Sequence, residues 1–209
     1  MTNQDSLVQV AEEVRVCTAC QLCRTRKNAV PGEGPANAPI MLIGEGPGFH
    51  EDQQGRPFVG ASGQFLTQLL ASAGYKREDV FIANVVKCRP PENRDPLPEE
   101  MQACGNYLER QITLINPKVI VTLGRFSMSK WFAGEKISAI HGKARKIGGK
   151  LIVPMFHPAA ALHQPALRQT VEEDFRKLKD IIAEASKQPD TKPIPPKSAG
   201  DEPEQLTLF

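Results

Sequence analysis

Four apolar residues, Ile40 to Ile43, run directly into three glycines spaced two apart, Gly44, Gly46 and Gly48, and no other stretch limits the fold as tightly. An apolar run of this length reads as a buried strand. Glycines in alternation then stop it in a turn whose backbone amides lie uncovered. Glu45 and Glu51 flank the turn, and Phe58 follows between Pro57 and Val59. The turn permits close approach to its backbone, and its surroundings suit a flat ligand with polar edges, such as a nucleobase.

A chain of 209 residues can bury one full core but is short for two domains of ordinary size. The expected organisation is one catalytic domain, residues 1–186, and a disordered tail, residues 187–209. Nowhere do 18 apolar residues occur together, and neither end carries a basic segment leading into an apolar run, so a soluble, cytoplasmic protein is expected. Monomer is the default oligomeric state. Of the net charge of +2, the tail contributes −1 through three lysines against four carboxylates, leaving +3 on residues 1–186. A nucleic-acid binder would need that small excess gathered on one face.

Cys17, Cys20 and Cys23 follow one another at C-x2-C spacing, with Cys88 and Cys104 far downstream. An odd count with no secretory signal is poor material for disulfides and better material for a metal or cluster site.

Apolar spacing predicts a helix over residues 6–16 that delivers Cys17, a strand at 40–43, a helix at 64–73 ended by Gly74, and a strand at 80–83 ending on Asn84. Residues 87–98 hold four prolines and must be a loop. A helix at 99–115, a strand at 118–123, a helix at 124–132, a basic Gly-rich hairpin at 136–150, a strand at 151–155 ending on Phe156-His157-Pro158, and a helix at 171–186 complete the domain. This alternation predicts a three-layer α/β/α sandwich around a central four-stranded parallel sheet, with ligands bound beyond the carboxyl ends of the strands. The Gly44 turn, Asn84 and His157 all fall there.

The runs Gly44-Glu45-Gly46-Pro47-Gly48, Glu51-Asp52, Gly55-Arg56-Pro57-Phe58-Val59-Gly60, Asn84 to Pro91 and Phe156-His157-Pro158-Ala159 together closely resemble family 4 uracil-DNA glycosylases, over roughly residues 10–185. The resemblance implies a uracil-DNA glycosylase fold, excision of uracil to begin base excision repair, and a [4Fe-4S] cluster on Cys17, Cys20, Cys88 and Cys104, with Cys23 outside the set. Zinc would accept the same four sulfurs, so the donor count by itself leaves the metal open.

Excision requires an extruded base and a leaving uracil anion. On this reading Phe58 stacks on the ring, and Asn84 reads the Watson–Crick edge by donating to O4 and accepting from N3–H, which cytosine lacks. His157 bonds O2 as charge grows there, helped by the amides at Gly46. The better-known glycosylases of this superfamily carry an Asp at the position matching Gly46, and glycine can activate no water. Glu51 is the expected water-positioning residue and Glu45 the alternative; either could instead cap a helix or exclude the thymine methyl. Leu162, in a loop after His157, is the expected DNA wedge, with Arg89, Arg94, Lys143, Arg145 and Arg168 as phosphate contacts.

The tail ends in Gln205-Leu206-Thr207-Leu208-Phe209, which resembles the motif by which bacterial proteins bind the replicative sliding clamp, with Gln205, Leu206, Leu208 and Phe209 as the contacts. Two rival readings stand beside the glycosylase. One is an Fe–S nucleotide-binding redox module, though the glycines are spaced G-x-G-x-G and not G-x-G-x-x-G. The other is a clamp-tethered DNA-binding protein without turnover.

Overall fold

The computed structural model describes residues 2–187 and Pro189. Residues 205–209 and the rest of the tail beyond Pro189 lie outside the described residues.

Helix α1 (Asn3–Val16) starts in a capping box, Thr2 accepting from the Asp5 N–H while Asp5 accepts from the Thr2 N–H. Strand β1 (Ile40–Gly44) is buried along its whole length. Helices α2 (Phe49–Gln54) and α3 (Ala61–Ser72) follow, and then β2 (Phe81–Asn84). The proline-rich loop leads into α4 (Pro98–Ile115), which ends where Asn116 adopts a left-handed conformation. Strand β3 (Val119–Leu123) is followed by two short helices, α5 (Arg125–Met128) and α6 (Ile137–Ile140). Strands β4 (Arg145–Ile147) and β5 (Lys150–Met155) precede α7 (Pro158–His163), α8 (Arg168–Arg176) and α9 (Leu178–Ala185).

The sheet order is β2-β1-β3-β5-β4. Four strands are parallel, as expected, and the fifth, β4, pairs antiparallel with β5. The basic stretch at 136–150 is therefore not a free hairpin. Its first half forms α6, and Gly148 and Gly149, both at positive φ, turn β4 back onto the sheet edge.

The alternation of β side chains divides the core. Leu42, Ile82, Val121 and Val153 pack with α3 and α8 on one face, while Ile43, Ala83, Ile120 and Ile152 pack with α1 and α4 on the other. Each fully buried aliphatic side chain contributes roughly 1.5–3 kcal/mol, so the sheet is a stiff platform for whatever its strand ends carry. A third cluster joins Val10, Val14 and Leu22 to Cys88 and Cys104, fastening α1 and the cysteine run against α4.

Three local expectations change. The segment after His157 is a helix, because Pro158 takes the first helical position, where a missing N–H costs nothing. The helix expected over 124–132 is one turn, Arg125–Met128, and the closing helix divides at Lys177 into α8 and α9.

Candidate active site

A cavity of about 430 Å³ opens beyond the carboxyl ends of the parallel strands, and Glu45, Gly46, Glu51, Phe58, Asn84 and His157 all line it. Three remote segments thus meet at one place. Gly44 and Asn84 are direct neighbours across β1 and β2, and a Cβ on Gly44 would overlap Asn84 Oδ1 and approach the Phe58 ring to 2.8 Å. Glycine at 44 is what lets those two side chains share the pocket floor.

Asn84 is 1% exposed, and its Oδ1 is buried with no hydrogen-bond partner. An orphaned buried acceptor is costly unless something else supplies the donor.

Phe58 is buried at φ 51, an uncommon conformation for a bulky residue. Its surroundings enforce it. Arg77 donates to the carbonyls of Pro57 and Phe58 at 2.6 and 3.1 Å, and Gly63 leaves no room for a Cβ beside the Phe58 carbonyl. The Phe58 ring lies 5.5 Å from the His157 ring at 28° to it.

His157 caps α7, its Nδ1 accepting from the Ala159 N–H at 3.1 Å. A neutral imidazole that accepts at Nδ1 carries its proton on Nε2. Burial lowers its pKa to about 4, with Glu51 opposing, so the ring stays neutral at neutral pH and Nε2–H is a donor.

The two carboxylates differ. Glu51 is buried, Oε1 accepting from Val59 N–H and Gly60 N–H, both at 2.8 Å, and Oε2 from Gly48 N–H at 3.1 Å. It pins the Phe58 loop to the start of α2. Glu45 has no such anchors. Burial and then the nearby Asp95 raise its pKa to about 7, against the opposing charge of Arg125. Asp95 and Arg125 pair with each other, joining the proline-rich loop to α5. At Gly46 a Cβ would come within 2.8 Å of Val86 Cγ2, so this turn has little room for a longer residue.

Leu162 is 40% exposed on α7, next to the pocket-lining His163, and does not itself line the cavity. Phe49, the first residue of α2, is also exposed, with the Arg89 guanidinium 5.3 Å from the centre of its ring. Of the five basic residues expected to grip phosphate, Arg94, Arg145 and Arg168 pair with Glu100, Glu135 and Glu172. Arg89 and Lys143 have no carboxylate partner among the described residues: Arg89 donates to Asn93 and Lys143 to the Ala139 carbonyl.

All five cysteines line a second cavity with Val14, Ala103 and Tyr107, and Arg26 and Lys87 also border it; its open surface is almost wholly apolar. Three of the sulfurs accept hydrogen bonds, Cys88 from Arg26 Nη1 at 3.0 Å, Cys104 from the Lys87 N–H at 3.2 Å and Cys17 from the Ala19 N–H at 3.5 Å. Burial pushes the Cys104 thiol up to about 11, with Lys87 opposing. Among the described residues, no three His, Cys, Asp or Glu side chains are grouped to hold one metal ion. Asp52 ties α2 to the segment that follows the first three cysteines, its Oδ1 accepting from Lys27 N–H at 2.9 Å and its carbonyl from Asn28 Nδ2 at 2.8 Å. The sequence pattern did not reveal Arg77 or the packing role of Gly63, because both act on the backbone of the Phe58 loop, which carries no periodic signal.

No helix among the described residues is long and apolar enough to cross a membrane. Residues 31–180 match the family model described as the uracil DNA glycosylase superfamily. The chain is 50% identical over 191 residues to a type-4 uracil-DNA glycosylase of Sulfurisphaera tokodaii, covering 85% of each protein. It is 51% identical over 189 residues to one from Saccharolobus solfataricus, covering 86% of this chain and 88% of that protein. A Thermotoga maritima protein of the same description is 48% identical over 186 residues, covering 87% of this chain and 97% of its own.

Proposed function

The chain belongs to the uracil DNA glycosylase superfamily, among its type-4 members, and from that premise we propose that it excises uracil from DNA by closing Phe58, Asn84 and His157 on one extruded base. It is a hydrolase of the N-glycosidic bond. The observation that carries the site reading is that Asn84 lines the pocket and its buried Oδ1 has no partner. N3–H of uracil supplies the missing donor, and the amide nitrogen donates to O4. Cytosine has no N3–H, so it leaves the acceptor unsatisfied, a penalty large enough for discrimination.

His157 acts as a neutral donor. Its Nε2–H bonds O2 as negative charge develops there, and the Gly46 amide is available to help. Phe58, held at its uncommon φ by Arg77 and Gly63, presents a ring already fixed in place, so little ordering is required when the base enters.

Glu45 is the residue that activates water. Its raised pKa places it near the operating pH of a general base, and its oxygens are not held by backbone amides. Glu51 positions the loop that carries Phe58. Leu162 enters the duplex in place of the flipped base, and Arg89 with Lys143 contacts phosphate.

Cys17, Cys20, Cys88 and Cys104 hold a [4Fe-4S] cluster. The donor set supports this: four sulfurs border one cavity, and N–H groups donate to three of them, an arrangement that suits thiolate ligands. Cys88 would let a bound cluster fasten the proline-rich loop; breaking a glycosidic bond transfers no electrons. The DNA substrate places the protein with the cytoplasmic nucleoid, and residues 205–209 tether it to a sliding clamp.

Incubating the protein with a uracil-containing oligonucleotide and then alkali tests the activity. Cleavage at uracil and not at cytosine is expected; an uncut strand at enzyme excess overturns the assignment.

A further inference from the structure

Lys87 has 1% of its surface exposed; it lines the cysteine cavity, where its charge acts on Cys104, and the pocket chemistry described above does not use its side chain. A buried ammonium is costly unless its protons meet acceptors. It donates to the Asn84 carbonyl at 2.9 Å and to Gln111 Oε1 at 2.7 Å. Gln111 is itself fixed, its Nε2 donating to the Pro31 carbonyl at 2.7 Å. The Lys87 backbone N–H bonds Cys104, and its carbonyl accepts from the Val30 N–H at 2.7 Å. Cys104 and Gln111 stand seven residues apart on α4, two turns along one face. One residue therefore joins β2, α4, the loop at Val30 and the cysteine cavity.

Its place in the sheet gives these bonds a purpose. Strand β2 is an edge strand. On its open side the Ile82 N–H and carbonyl pair with Glu33, and two residues further the next carbonyl on that side belongs to Asn84. The Lys87 ammonium, and not a strand, satisfies that carbonyl. The end of an edge strand is where fraying is easiest.

We propose that Lys87 is the positioning residue for Asn84: by binding the carbonyl of Asn84 and anchoring it to Gln111 on α4, it keeps the amide aimed into the pocket while the base enters. This rests on Asn84 being the residue that reads uracil.

The test uses Lys87→Met, which keeps the apolar stem and removes the ammonium, with Asn84→Ala alongside. Four quantities are measured: the single-turnover excision rate, the Kd for the same duplex carrying an abasic site, the melting temperature and the iron content. For Lys87→Met the rate should fall about 10- to 100-fold, the size of one lost charge-assisted hydrogen bond. Abasic-site affinity and iron should stay at wild-type levels, because a site with no base makes no demand on Asn84; the melting temperature should fall only by the cost of the two acceptors left without a donor. Gln111→Leu, which removes the second anchor, should slow excision in the same pattern by a smaller factor.

A wild-type rate in Lys87→Met overturns the proposal. So does a rate that falls in step with abasic-site affinity, since that is the signature of a scaffold residue. Should Lys87→Met fail to fold or lose its iron, Gln111→Leu decides by the same criteria. A wild-type rate in Asn84→Ala removes the base-reading assignment instead, and the proposal with it.

Discussion

Acidifying the assay should slow uracil release along a curve set by Glu45. Burial, reinforced by Asp95, places this carboxyl at about 7 where its ordinary value is 4.5. A general base works only when ionised, so the active fraction is about 90% at pH 8, about 10% at pH 6 and about 1% at pH 5. Between pH 8 and 5 the rate should therefore fall by close to two orders of magnitude. His157 adds nothing to this limb, because its pKa near 4 leaves it neutral throughout. The assay is single-turnover cleavage of a uracil oligonucleotide with enzyme below saturation, which reports groups of the free enzyme. Glu45→Gln should flatten the profile and lower the rate at pH 8 by about 10²- to 10⁴-fold. Asp95→Asn removes a like charge and should move the limb to lower pH; Arg125→Gln removes an opposing one and should move it up. Both neighbours are exposed, so each displacement should be a fraction of a unit. A limb centred near 4.5, or a Glu45→Gln protein with most of its activity, would refute Glu45 as the base.

Other perturbations reach the remaining parts of the account. Gly44→Ala forces a methyl into the space of Asn84 Oδ1 and the Phe58 ring; overpacking of this kind costs about 1–3 kcal/mol, and excision should fall at least tenfold, measured alongside thermal melting. Cys88→Ala should lose iron and melt lower, read by iron analysis and circular dichroism, and retained iron with normal melting would remove Cys88 from the ligand set. Deleting residues 205–209 should abolish sliding-clamp pull-down and leave excision from free oligonucleotides unchanged; undiminished capture would end the tether proposal.

The parallel strands were legible because each is a short apolar run closed by a turn signal, and parallel topology then carries Gly44, Asn84 and His157 to one end of the sheet. Two elements were hidden by ambiguous punctuation. Pro158 reads equally as a breaker or as the first residue of a helix, and only its place after the capping His157 decides. The glycine pair at 148 and 149 announces a turn but not that one arm would add a strand to the sheet. The supporting residues were illegible for a different reason. Arg77 reaches back to Pro57, Glu51 across to Gly60, and Lys87 to Gln111, each pairing set by tertiary packing and carrying no local periodicity. The same limit bears on Glu51 and Glu45: both lie in one acidic loop, and only the fold shows that backbone amides hold Glu51.

Most direct of all is the position of uracil itself in a crystal of the protein soaked with the free base. The account places the ring against Phe58, with N3–H donating to Asn84 Oδ1, O4 accepting from the same amide and O2 accepting from His157 Nε2. Uracil bound elsewhere, or in the pocket with Asn84 out of hydrogen-bond reach, would contradict it.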